Sequence, residues 1–141
     1  MTRRGGRRAV LVALLIGALA SAAGCADPAA DDVVVEFTVA GGETYKVLLT
    51  DPEDIEIANE LVAGEDVPSI PNGRVVRETG VNEGYTWSID PADFEFAEVT
   101  IEVCDGTPTD VEQGIVTSDR YCPWSALISD IGPAPTPTPA S

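Results

Sequence analysis

Histidine is absent from the 141-residue sequence. That removes a Ser-His-Asp triad, a Cys-His dyad and any imidazole metal ligand from consideration. Basic residues are scarce, eight against 24 acids, and Arg3, Arg4, Arg7 and Arg8 fall within the first eight positions. Beyond residue 24 the balance is 24 acids to four bases (Lys46, Arg74, Arg77 and Arg120), a formal charge of −20. So negative a surface repels phosphate backbones and gives nucleic acid no footing. Cysteine is limited to Cys25, Cys104 and Cys122, with no Cys-x-x-Cys pair to suggest a redox or zinc centre. No apolar run reaches the roughly 20 residues that a membrane span needs. There is no EF-hand loop and no internal repeat.

What is present at the N-terminus reads as an address. Four arginines precede an apolar stretch at residues 9–20, and Ser21-Ala22-Ala23-Gly24-Cys25 follows. A charged start, a short apolar run and a small-residue cleavage region make a secretory signal peptide over residues 1–24. Ala23-Gly24-Cys25 resembles a bacterial lipobox, with Ala22 where leucine is commoner. In that motif the cysteine becomes the first mature residue and carries lipid on its thiol and amine. Several acyl chains give stable anchoring, since each buried methylene contributes about 0.8 kcal/mol. The arginines stay on the cytoplasmic side. The expected location is therefore the extracytoplasmic face of the cell membrane, with Cys25 as the lipid attachment and the membrane as a partner through that lipid.

Residues 25–32 are small and acidic and read as a tether. The last ten, rich in Pro and Thr, read as a disordered tail that offers sites for sugars. Between them, residues 33–131 make one domain of modest core. Alternation of Val33, Val35, Phe37 and Val39, then Gly41-Gly42, then Tyr45, Val47 and Leu49, predicts a β-hairpin. Asp51-Pro52-Glu53-Asp54 starts a helix over 51–63, with Ile55, Ala58, Leu61 and Val62 as its apolar stripe and Gly64 as its stop. Residues 66–73 read as loop, 74–79 and 85–89 as strands, the second ended by Asp90-Pro91. Residues 99–104 read as the clearest late strand. Phe94 and Phe96 differ in parity from Val99 and Ile101, which implies a bulge or break near Ala97 or Glu98. Thr107-Pro108 starts a short helix toward Gln113, and residues 124–131 are ambiguous between strand and helix. The fold class expected is α+β: a small, mostly antiparallel sheet with one main helix.

With Cys25 committed to lipid, Cys104 and Cys122 remain in an exported chain, and a disulfide is the natural reading. On chain-entropy grounds a loop of this length is worth about 3 kcal/mol.

Residues 84–91 (Gly-Tyr-Thr-Trp-Ser-Ile-Asp-Pro), 99–106 (Val-Thr-Ile-Glu-Val-Cys-Asp-Gly) and 121–125 (Tyr-Cys-Pro-Trp-Ser) together resemble a family of small exported bacterial domains. The pattern is similar to the N-terminal domain of a slime-mould secreted binding protein and spans residues 35–131. Members of that family often carry a histidine in the tryptophan strand. Here Ser88 follows Trp87, so chemistry resting on that histidine is absent or altered.

Candidate binding residues are Trp87, Asp90, Glu102, Asp105 and Trp124. Asp90, Glu102 and Asp105 supply oxygen ligands of the kind calcium takes, against which stand a solvent-facing Glu102 and an Asp90 that starts a turn. Trp87 and Trp124 offer an aromatic surface for sugar or peptide, against the commoner role of tryptophan in a core. Arg74 and Arg77 neutralise neighbouring acids in the plainer reading and hold an acidic ligand in the sharper one. No catalytic residue, resident metal or cofactor is expected, since paired carboxylates arise by chance among so many acids. The reading is a cell-surface lipoprotein acting as a non-catalytic binding or interaction module for a protein or carbohydrate. The alternatives are a regulator of secreted enzymes, such as a protease inhibitor presenting the disulfide-closed loop 106–121, and a calcium-dependent adhesion domain. Intact-mass spectrometry of membrane-extracted protein should find a chain that begins at an acylated Cys25; residues 1–24 still attached is the contrary result.

Overall fold

The computed structural model describes residues 31–136. Val33–Thr38 (β1) and Thr44–Leu49 (β2) form the expected hairpin, in register from Val33 opposite Leu49 to Thr38 opposite Thr44. Every second residue points inward: Val35, Phe37, Tyr45, Val47 and Leu49 are buried. Gly41 and Gly42 both take positive φ, 93° and 85°, which lets the chain reverse between Val39 and Glu43.

Helix α1 spans Pro52–Ala63. Asp51 caps it, its Oδ1 accepting the Glu53 N–H at 2.8 Å, and Pro52 spends its missing N–H in the first turn. Gly64, at φ 83°, ends the helix in a left-handed cap. The apolar stripe buries Ile55 and Ala58 and rests against β2, β4 and β6.

Ile70–Val76 (β3), Ser88–Ala97 (β4) and Arg120–Tyr121 (β5) form a second sheet, in the order β4-β3-β5. Leu127–Pro133 (β6) pairs with β1, completing the first sheet as β2-β1-β6. A 3-10 turn at Glu102–Cys104 and helix α2, Pro108–Glu112, lie between β4 and β5. The chain thus has two small antiparallel sheets, two helices and a disulfide, rather than the one sheet expected.

Four local expectations need correction. Residues 70–73 are strand, not loop. Pro71 fits because β5 reaches only Gly73 and Arg74, so no ladder donor is demanded of Pro71 on that side. The tryptophan strand starts at Ser88, and Asp90-Pro91 does not end it. Pairing jumps from Gly73–Phe94 to Val75–Ile89, so residues 90–93 bow out and β4 then resumes. Residues 99–104 are not a strand: β4 stops at Ala97 opposite Ile70, the first residue of β3, so no partner strand remains to be paired. The change of parity after Phe96 is therefore a break. Finally, β6 extends through Gly132 and Pro133, two residues into the expected tail. The short helix after Thr107 forms as expected, with Thr107 and Asp110 making a reciprocal capping box.

The two sheets meet through aromatic side chains. Phe37 stacks on Tyr45 at 5.3 Å between ring centroids. Tyr45 meets Tyr121 edge-on at 5.1 Å, and Tyr121 meets Trp87 at 5.4 Å. Trp87, fully buried, also touches Tyr45 and Tyr85. The Cys104–Cys122 disulfide, with Cα atoms 5.1 Å apart, ties the turn after β4 to the end of β5, and the Cys122 N–H donates to the Cys104 carbonyl at 2.8 Å. Replacing both cysteines by serine should cost about 3 kcal/mol and lower the melting temperature by about 15 °C; an unchanged melt would show that the bridge adds nothing to the paired backbone.

Candidate functional site

The sequence-derived site residues do not form one group. Trp87 belongs to the core. Trp124 stands outside it, 48% exposed, the one aromatic residue of the eight that joins no ring pair among the described residues. Asp90 lies in the bowed part of β4, where its Oδ1 accepts the Ala92 N–H at 3.0 Å, the turn expected of it. Asp105 caps a different turn, its Oδ1 accepting the Trp124 N–H at 3.0 Å. Glu102 sits in the 3-10 turn; its side chain, like Cys25 and the signal peptide, lies outside the described part. Among the described residues no three carboxylate or thiol groups converge in a way that could hold a metal ion. No described helix is long and apolar enough to cross a membrane.

Trp124 lies within a different grouping. Residues 123–126 make a turn closed by the Ala126 N–H on the Pro123 carbonyl. Trp124 Nε1 donates to Thr100 Oγ1, which sets the indole beside the segment that leaves β4. That segment exposes Val99 (83%), Ile101 (72%) and Val103 (62%), and Leu127, one turn beyond Trp124, is 73% exposed. Next to them a cleft of about 260 Å³ opens between α1 and β6, lined by Phe37, Leu61, Val62, Ser69, Ala126 and Leu127. These apolar side chains make a tip at one end of the molecule.

The position of that end follows from the ladders. Thr38 pairs with Leu127, and the Ala40 N–H donates to Ser125 Oγ, so the tip adjoins the C-terminal end of β1. Val33 pairs with Pro133, and the Ala134 N–H donates to the Asp32 carbonyl. The chain thus enters β1 and leaves β6 at the opposite end, about 17 Å away along the strand.

Charge is distributed unevenly over the rest. Arg74 and Arg120 both grip Asp93, at 2.7 and 2.8 Å, and Arg120 Nε donates to Asn72 Oδ1. The hydrogen bond from Arg120 holds the Asp93 carboxyl below its ordinary pKa. Neutralisation of neighbours is thus the role of Arg74, whereas Arg77 donates to the Val111 carbonyl at 3.2 Å near the end of α2.

Two polar residues escaped notice in the sequence. Asn82, buried, accepts the Lys46 N–H and donates to the Trp87 carbonyl, closing the free edge of β2. Asp54 is buried at the start of α1, in an open pocket with Asp51, Glu53, Phe94, Glu95 and Phe96. Burial, then the Asp51 charge, pushes its pKa up to about 6, against a hydrogen bond from the Phe96 backbone. The signal for Asp54 was available: it falls four residues before Ala58 and seven before Leu61, on the helix's own apolar stripe.

A small two-sheet domain, tied by a disulfide and carrying an exposed apolar end rather than a metal or nucleophile cluster among its described residues, has the outline of a recognition domain. A family model for the N-terminal domain of the slime-mould binding protein matches residues 31–135, and the chain belongs to that family. The match agrees with the similarity carried by residues 84–91, 99–106 and 121–125. No curated protein and no solved structure matched the chain.

A carboxyl that holds its proton more tightly folded than unfolded stabilises the fold fully only below the unfolded value near 4. That contribution is lost as pH rises through about 6. Asp54→Asn keeps an acceptor for Phe96 and removes the charge. It should raise stability by on the order of 1–2 kcal/mol at pH 7.5 and leave it unchanged at pH 4 in denaturant titrations.

Proposed function

We propose that this chain is a non-catalytic binding module, held on the outer face of the cell membrane by lipid on Cys25, and that it binds through the apolar tip. The observation that carries this reading is the exposure of Val99, Ile101, Trp124 and Leu127 together at the end remote from the chain's entry into β1. A tether attached below Val33 leaves that end facing away from the membrane. Exposed apolar groups gathered beside a cleft are what a soluble domain otherwise buries, and they mark an interaction surface. Membership of a binding-protein domain family supports the same reading.

The other readings have less behind them. A displayed inhibitory loop at 106–121 is disfavoured, because Pro108, Val111 and Val116 in that segment are buried. Asp54 is the one feature that favours an enzyme, since a raised carboxyl in a polar pocket is what acid catalysis uses. Its neighbours there are further carboxylates and phenyl rings, with no histidine anywhere in the chain.

Affinity capture from intact cell surfaces with the full mature chain tests the proposal. Trp124→Ala and Ile101→Asp, both at exposed positions, should reduce recovery of specific partners about tenfold or more while leaving the melting temperature within about 2 °C. Asp54→Asn should capture as the parent does. Equal recovery by the tip variants would remove the tip from the binding role.

A further inference from the structure

We propose that the tip receives an extended peptide segment in which apolar side chains alternate with lysine or arginine. The inference rests on the reading of the tip as the binding end and specifies what that end recognises. Three observations converge on it.

The first is charge. Around the apolar groups the exposed side chains are acidic: Glu98 precedes Val99, Asp105 follows the 3-10 turn, and Glu65 and Asp66 lie on the connection between the cleft residues Val62 and Ser69. All four bases of the mature chain are elsewhere. Arg74 and Arg120 hold Asp93, Arg77 holds the Val111 carbonyl, and Lys46 sits mid-strand opposite Glu36. An apolar patch ringed by acids with no base of its own selects a partner that brings positive charge. The same fact disfavours a second copy, which would bring −20 against −20 and place identical acids face to face.

The second is shape. The cleft between α1 and β6, about 260 Å³, falls below the usual size of a pocket for a drug-sized molecule. It suits one or two apolar side chains projected from a longer ligand.

The third is backbone. Val99, Thr100 and Ile101 have the alternation and β-branching of a strand, yet their N–H groups have no backbone partner among the described residues. A β-prone segment left unpaired at an edge is a template for an incoming strand. An extended ligand lying along it would set alternate side chains toward the cleft and the others toward the acidic rim.

The test uses the full mature chain in detergent and three seven-residue probes: Lys-Val-Lys-Val-Lys-Val-Lys, and the same peptide with Ser or with Glu replacing every Lys. Fluorescence anisotropy should show the lysine peptide binding about tenfold or more tighter than the serine peptide, with the glutamate peptide weaker still, and the difference should shrink as salt is raised. Ile101→Asp should abolish binding of both the lysine and serine peptides. The double variant Glu65→Gln/Asp66→Asn should weaken the lysine peptide alone. Asp130→Asn, on β6 away from the tip, should change neither, which separates a local acidic rim from the general negative charge of the chain. Equal affinity for the serine and lysine peptides, lost in Ile101→Asp, overturns the cationic preference and leaves the tip as the binding end. Lysine-peptide binding that survives Ile101→Asp, or failure of all three peptides to bind, overturns the proposal; the cell-surface capture experiment then decides the tip's role separately.

Discussion

The contact between Tyr45, Trp87 and Tyr121 is what the remainder of this domain depends on. A three-stranded sheet with strands of six or seven residues has little stability alone, and the second sheet even ends in a strand of two residues. Each sheet gains a core only from the other. Tyr45 comes from β2, Tyr121 from β5, and Trp87 from the residue before β4, so the three rings join elements that no hydrogen-bonded ladder links. The ring contacts add specific geometry to the area they bury, at about 0.5–1.5 kcal/mol per pair. The indole N–H of Trp87 finds no acceptor in this setting. Leaving a buried donor unpaired costs about 1–3 kcal/mol. The core accepts that cost at the point where packing between the sheets is densest.

Charge imposes the second constraint. A mature chain at −20 pushes outward on its own fold. The few bases are therefore spent locally, two of them on a single carboxylate between β3, β4 and β5, and the disulfide holds the ends of the region that carries no strand pairing. What the bases do not reach is left acidic, and this gives the tip its electrostatic character without any residue placed there for the purpose.

Much of this was legible in the chain itself. The hairpin and α1 could be read because their signals are local: alternation, a capping aspartate, a proline in the first turn, a glycine stop. The disulfide followed from the odd count of cysteines and the export signal. Residues 99–104 misled because β-branched alternation reports only a readiness to pair, and whether a partner exists depends on where β3 begins. Asp90-Pro91 misled for a related reason: a bulge and a strand end look alike until the register on the far side is known. Trp124 was singled out and does lie at the tip, but Val99, Ile101 and Leu127 read as ordinary strand residues. The tip is assembled from residues 61–69, 97–103 and 124–127, and no local pattern announces such a meeting.

The pairing of Val33 with Pro133 has a mechanical meaning. Strands β1 and β6 run in opposite directions, and Val33 and Leu127 sit at opposite ends of their shared ladder. A pull between an anchor below Val33 and a ligand held near Leu127 drags the two strands past each other along their length. The hydrogen bonds between them cross that direction, so they are strained together instead of being peeled apart in succession. An anchored protein that grips something moving past it would thus carry the load on its most regular ladder, with the aromatic core braced behind it.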